Sequence, residues 1–306
     1  MLDPQFRTVL DTLTAAAAVP LVRGTAAENR GHYRQLSLSR RGPGFVPEPV
    51  AEVRDTTVDG PGGPIPVRVY APEHDRGRAV TYLHGGGWVL GDLDTHDPVC
   101  RRVANAVGAV VVAVDYRLAP EHPHPAPLDD ATAALRWTAS QFPGRTLGVA
   151  GDSAGASLAA GVALRARDGG LPLAAQLLWY PPTDPTMGLA SVTANGEGYF
   201  LTAKDMTWFY AQYVPGGTAD PQVALVDADV AGVAPAVVAT AEFDPLRDEG
   251  DAYADRLRAA GVEVRHVPGP GLIHGYAAFL GAVDAADVRA AEVLAAFDAL
   301  LSRPGR

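Results

Sequence analysis

A chain of 306 residues, 47% hydrophobic and 20% charged, has the composition of a packed globular protein and excludes a mostly disordered one. Its net charge of −10, with 25 basic against 35 acidic residues and no basic patch, argues against nucleic acid as a partner. The lone cysteine, Cys100, excludes an intrachain disulfide framework and a Cys-rich zinc module, and no apolar run approaches the ~18 residues of a membrane span.

Asp3, Arg7 and Asp11 interrupt what would be the apolar core of a signal peptide, so a cytoplasmic location is expected. Residues 2–17 read as an amphipathic helix, and 23–49 as a polar, weakly patterned stretch. Strands are expected at 50–58 and 65–70, on either side of a Gly/Pro turn at 60–64, and again at 79–83. Asp97 and Pro98 open a helix that stops near Gly108, with Asp97 as N-cap and Pro98 at the first helical position. Residues 109–114 lack polar alternation, the look of a strand buried on both faces, and hence of a parallel central strand. A helix over 128–141, a strand over 146–150 and a helix over 153–168 follow, the last ended by Gly169-Gly170. Strands are then expected at 174–180, 235–241 and 262–267, with a helix over 248–260 and a closing helix from about 285 to 302.

Strands alternating with helices imply an α/β fold whose mostly parallel central sheet carries helices on both faces. One stretch, 181–217, breaks the rhythm and holds its own helix at 202–214, opened by a capping box of Thr202 and Asp205. So long an excursion suggests a helical cap. The expectation is a single domain over 1–306, with cap elements at about 1–45 and 181–217.

The sharpest chemical signal is Gly151-Asp152-Ser153-Ala154-Gly155, set between a strand and a helix. A serine nucleophile on such a tight turn needs small neighbours, and the helix N-terminus favours developing negative charge. The second is His84-Gly85-Gly86-Gly87-Trp88, directly after a strand. Consecutive glycines can turn backbone N–H groups toward an anion with no Cβ in the way. Neither phosphate-loop pattern is present, so the loop reads as an oxyanion hole, Gly86 acting with Gly85 or Gly87, and His84 braces it.

A serine hydroxyl needs a base, and the base an acid to orient it. At the ends of later strands stand Asp244, preferred as the acid over Glu242 and over Asp248, which looks like a helix N-cap, and His274, taken as the base. The chain order Ser153, Asp244, His274 is that of the α/β-hydrolases. His122 and His124 near Asp129 and Asp130 are read as surface-loop residues, not as a metal site, and Cys100 as a small buried residue. The acidic cluster Glu242, Asp244, Asp248 and Glu249 is taken in part as solvated loop and helix start.

These motifs resemble those of the hormone-sensitive-lipase-like branch of the α/β-hydrolases, the bacterial family IV esterases. The matching pieces are the HGGGW run from His84 to Trp88, GDSAG from Gly151, DPLRDEG from Asp244 and His274-Gly275. Asp115-Tyr116-Arg117-Leu118-Ala119-Pro120-Glu121 and Gly198-Tyr199-Phe200-Leu201-Thr202 match further stretches of that family. The resemblance implies a carboxylic-ester hydrolase acting through an acyl-enzyme on small esters of short to medium acyl chain, with no cofactor or metal. It places Ala154 beside the loop glycines as an oxyanion donor. Trp88, Phe209 and Tyr213 are candidates to line the substrate pocket. A homodimer is left open. The same triad would serve an amidase, a lactonase or a metabolite deacetylase, and the fold also carries non-catalytic ligand receptors that have lost a triad member.

Overall fold

A computed structural model of the chain describes residues 1–16, 20–41 and 44–303. The β-branched runs become strands β1 (Glu52–Gly60), β2 (Gly63–Ala71), β3 (Arg78–Leu83), β4 (Ala109–Val114), β5 (Thr146–Asp152), β6 (Ala175–Trp179), β7 (Ala236–Phe243) and β8 (Val264–Ile273). They form one sheet in the order β1-β2-β4-β3-β5-β6-β7-β8. From β4 to β8 all pairings are parallel, while β1 and β2 add antiparallel pairings at one edge. β4 is buried at every residue, but it is the seam of the sheet: parallel to β3 and antiparallel to β2.

The helices are α1 (Pro4–Ala15), α2 (Ala26–Ser39), α3 (Asp97–Val107), α4 (Ala126–Gln141), α5 (Ala154–Asp168), α6 (Ala190–Ala194), α7 (Ala203–Tyr213), α8 (Arg247–Ala259) and α9 (Asp284–Leu301). They cover both faces because successive strand residues point opposite ways. In β3, Thr81 reaches Thr138 of α4 at 3.0 Å. Its neighbour Val80 lies on the other face, with Gly148 of β5 and with Phe297 and Leu301 of α9.

Several boundaries move, each for a local reason. The expected end of the first helix at Ala17 lies outside the described residues. α2 fills a stretch with little apolar pattern; it starts from a capping box in which Glu28 N–H donates to Thr25 Oγ1 and Thr25 N–H to Glu28 Oε2. α3 begins at Asp97, so His96 and not Asp97 is the cap residue; the Asp97 carboxylate instead accepts from Tyr70 and Arg101. α8 begins at Arg247, which puts Asp248 inside its first turn and not at the N-cap. β8 runs on through Gly269-Pro270-Gly271 to Ile273, where sequence places a loop, because a register irregularity in β7 lets Phe243 pair with Ile273.

The two extra segments attach beside the ends of the parallel strands. Phe6 of α1 is fully buried and meets the Phe279 ring edge-on at 5.5 Å, and Asp3 N–H donates to Gly271 O. Phe6→Ala would cost about 3–5 kcal/mol. α2 is held by cations: Arg30 donates to the carbonyls of Val89 and Ala119 and pairs with Glu121, and Arg34 pairs with Asp92 and Asp94. The N-terminal segment meets α7 at Val22, whose N–H donates to Asp205 at 3.1 Å.

Candidate active site

Parallel strands all present their C-terminal ends at one edge of the sheet. His84 follows β3, Ser153 follows β5, Asp244 follows β7 and His274 follows β8, each as the first residue past its strand. Ser153 turns the chain sharply into α5, with φ +54° and ψ −126°. That conformation is strained for a residue with a side chain. It persists because Ser153 N–H donates to Trp179 O at 2.8 Å and because Gly155 has no Cβ, which would strike the Leu83 carbonyl.

His274 bridges the other two. Its Nδ1 lies 2.7 Å from Asp244 Oδ2 and its Nε2 2.9 Å from Ser153 Oγ. An ionised carboxylate can only accept, so Nδ1 carries the hydrogen and Nε2 is left to accept the serine proton. Asp244 has no solvent exposure; its second oxygen takes Leu246 N–H at 2.8 Å, and its backbone carbonyl accepts from Asn195. The competitors are occupied elsewhere. Glu242 accepts from Gly271 N–H, and Asp248 accepts from Ser191 N–H and pairs with Arg247. Nor is the acidic cluster solvated throughout, since Asp244 and Glu249 are both fully buried.

The glycine loop sorts its own N–H groups. Gly85 N–H donates to Asp152 Oδ1 at 3.0 Å, so it does not join an oxyanion hole, which corrects its place among the candidate donors. Gly86 (φ +122°) and Gly87 (φ +60°) line the same cavity as Ser153, Ala154 and His274. No hydrogen bond among the described residues uses the N–H of Gly86 or Gly87. Ala154, at the first position of α5, has no acceptor within its helix. His84 holds the loop from behind: Nδ1 donates to Gly85 O at 2.8 Å and the ring stacks on Tyr116 at 4.3 Å. Burial, and then His96, lower the His84 pKa to about 4, so the ring is neutral at pH 7.

Asp152, a motif position sequence left without a role, ties these parts together. Its Oδ1 accepts from both Tyr82 OH and Gly85 N–H, and His96 Nε2 lies 3.4 Å from Oδ2. Burial alone would raise its pKa, but His96, Tyr82 and His84 outweigh burial and hold the carboxyl below its usual value.

The cavity at Ser153 is narrow, about 40 Å³, and its walls include Leu21, Phe200, Leu201, Met206 and Phe209. Trp88 and Phe209 line it, but Tyr213 does not: it stacks behind Trp88 at 4.4 Å. A larger cavity of about 570 Å³ shares Tyr33, Arg40, Asp152 and Ala278 with it. Tyr33 and Arg40 carry no sequence signal, since Tyr33 sits on a helix with little apolar pattern and Arg40 just past its end. Elsewhere, Asp129 and Asp130 are engaged by Arg165 and Arg117, and His124 by Tyr213 and Asp220. Burial pushes the Cys100 thiol well above its ordinary pKa, away from the reactive thiolate.

Residues 80–278 match a family described as having the alpha/beta hydrolase fold. The chain is 45% identical over 303 residues to carboxylesterase NlhH of Mycobacterium tuberculosis (strain CDC 1551 / Oshkosh), covering 93% of this chain and 92% of that protein. It is 38% identical over 288 residues to an ethyl acetate hydrolase of Pseudomonas putida, covering 90% of each. Among solved structures, an esterase of Pyrobaculum calidifontis superposes with a TM-score of 0.90 at 39% identity, over 99% of this chain and 100% of that one.

Proposed function

The chain belongs to the α/β-hydrolase family, in its hormone-sensitive-lipase-like branch, and from that premise we propose that Ser153, His274 and Asp244 are its nucleophile, base and acid. It is a serine carboxylic-ester hydrolase. His274 Nε2 takes the Ser153 proton as Oγ attacks the ester carbonyl carbon. The oxyanion that forms is held by the N–H groups of Gly86, Gly87 and Ala154, aimed at charge that exists only in the transition state and intermediate. Asp244 fixes the imidazole tautomer and stabilises the imidazolium. Collapse breaks the carbon–alkoxy bond, and the alcohol leaves with the proton from His274. Water then gives its proton to His274 and attacks the acyl-enzyme, which returns free serine and the carboxylic acid.

The observation that carries this reading is the pair of distances at His274, 2.7 Å to Asp244 and 2.9 Å to Ser153, beside N–H groups with no acceptor among the described residues. The apolar, narrow cavity supports short- to medium-chain acyl groups. Its walls come from residues 21–40 on one side and 182–209 on the other, which supports the assignment of both segments as a cap over a single hydrolase domain. An amidase, lactonase or deacetylase would keep this triad, and the named relatives do not favour those activities.

The test is a panel of p-nitrophenyl esters of rising acyl length beside matched anilides, with the native protein and Ser153→Ala. The native protein should cleave the shorter esters and leave the anilides. The variant should fold and lose about three orders of magnitude or more in kcat. Retention of a tenth of the activity would refute the nucleophile.

A further inference from the structure

Arg40 is a cation on the wall of the Ser153 cavity with no counter-charge among the described residues. Its Nε and Nη2 are buried without a hydrogen-bond partner, and it forms no ion pair among the described residues. The guanidinium carbon lies 5.2 Å from the Phe200 ring centre and 4.5 Å from that of Phe279, so the cation packs against both rings. It also lines both the Ser153 cavity and the larger one beside it.

The other charges on these walls are already satisfied. Arg102 is paired with Glu48 and Asp287, and Arg41 donates to the Asp94 carbonyl. Asp152 shares the wall with Arg40 but is held by Tyr82, Gly85 and His96. A buried guanidinium with unmade hydrogen bonds costs free energy, since an unsatisfied charged group forfeits its hydration. Burial pulls its pKa below the ordinary value, as expected of a cation without an anion beside it. The planar fork of donors is suited to a carboxylate, which it can bind through parallel N–H bonds.

We propose that Arg40 is a substrate-binding residue and that the preferred esters carry a carboxylate, which its guanidinium holds while the ester carbonyl sits at Ser153. This deepens the esterase reading and rests on it. The acid group belongs either to the acyl chain or to the alcohol, and the two are separable.

For the acyl side, mono-p-nitrophenyl adipate is compared with p-nitrophenyl hexanoate; for the alcohol side, the acetate ester of p-hydroxybenzoate with phenyl acetate. The native protein should favour the acid-bearing ester in one of the two pairs by about tenfold or more in kcat/KM. Arg40→Met, which keeps apolar packing against Phe200 and Phe279, should bring that ratio to about one, and Arg40→Lys should keep part of it. No preference in either pair, or a preference that survives Arg40→Met, overturns the proposal. Anion binding is also read without turnover, from the thermal midpoint of Ser153→Ala with adipate or benzoate against the neutral amides hexanamide and benzamide. Failure to hydrolyse any of the four esters sinks the esterase reading. The anion site falls separately if the acids raise the midpoint no more than the amides do.

Discussion

Replacing Glu249 by glutamine should stabilise the protein by an amount that grows with pH. The side chain is fully buried on α8; Oε2 accepts the N–H groups of Thr183 and Asp184 at 2.7 and 2.9 Å, while Oε1 is buried with no partner among the described residues. Burial raises its pKa from 4.5 to about 8, against the pull of those two N–H bonds. The sign follows from linkage. Below pH 4.5 the carboxyl is protonated in both the folded and unfolded chain, and the native protein has its full stability. Between there and about pH 8 the unfolded chain releases its proton and the folded one does not, so stability falls as pH rises. At about 1.4 kcal/mol per pH unit the window from 4.5 to about 8 sets a ceiling of about 5 kcal/mol.

Glutamine never ionises, and its amide oxygen can take both N–H bonds that Oε2 now accepts. Urea unfolding of the two proteins at pH 5, 6, 7 and 8 should give nearly equal stabilities at pH 5 and a gain of a few kcal/mol for Glu249→Gln by pH 8. Glu249→Ala, in contrast, strands two buried N–H groups and should destabilise at every pH by about 2 kcal/mol or more. Parallel pH profiles for the native protein and Glu249→Gln would refute the reasoning, because they would mean that Glu249 ionises alike in the folded and unfolded chain.

Asp244→Asn should lower kcat on the order of 10⁴-fold with little change in stability, since the amide favours the wrong imidazole tautomer. Asp248→Asn should leave steady-state rates close to native, because the amide oxygen can still accept Ser191 N–H and only the pairing with Arg247 is lost; reversed phenotypes would move the acid to Asp248. Gly86→Ala should fold and lose about 10²–10³ in kcat, because a Cβ there meets the Leu90 carbonyl and a φ of +122° is closed to alanine. Near-native rates for that variant would remove Gly86 from the oxyanion donors.

The parts of the site legible in the sequence are those in which a residue's role is fixed by its own few neighbours. GDSAG reads as a strand-to-helix turn because two glycines and an alanine leave the serine room, and His274 and Asp244 stand where strand patterns run out. A run of three glycines is different. Each N–H points where its own φ sends it, so Gly85, whose N–H is bound by Asp152, and Gly86, which lines the cavity with no such bond among the described residues, look alike as letters. Tyr213 was likewise indistinguishable from Phe209 as an aromatic on α7; its place behind Trp88 depends on how the helix is rolled. α2 leaves no helical signature in the apolar pattern because its buried residues are Asn29, Leu36 and Ser37, too few and too polar to make a stripe. The signal available was the capping pattern Thr25-Ala26-Ala27-Glu28, and the arginines that anchor the helix have partners 58 to 91 residues away.

That long-range anchoring bears on how a strained serine is kept in place. A backbone in the Ser153 conformation costs on the order of 1–3 kcal/mol and relaxes unless its surroundings over-determine it. Trp179 holds the turn from β6 through the Ser153 N–H, and Leu83 of β3 packs against the bare Gly155. Asp152, one residue before the serine, fastens the same turn to Tyr82 and to the Gly85 N–H. Because that one carboxylate joins the Ser153 turn to the glycine loop through the Gly85 N–H, Gly86 and Gly87 are positioned relative to Ser153 by a direct bond and not by two independent strands. Loss of the Asp152 carboxylate would therefore loosen the glycine loop and the Ser153 turn together.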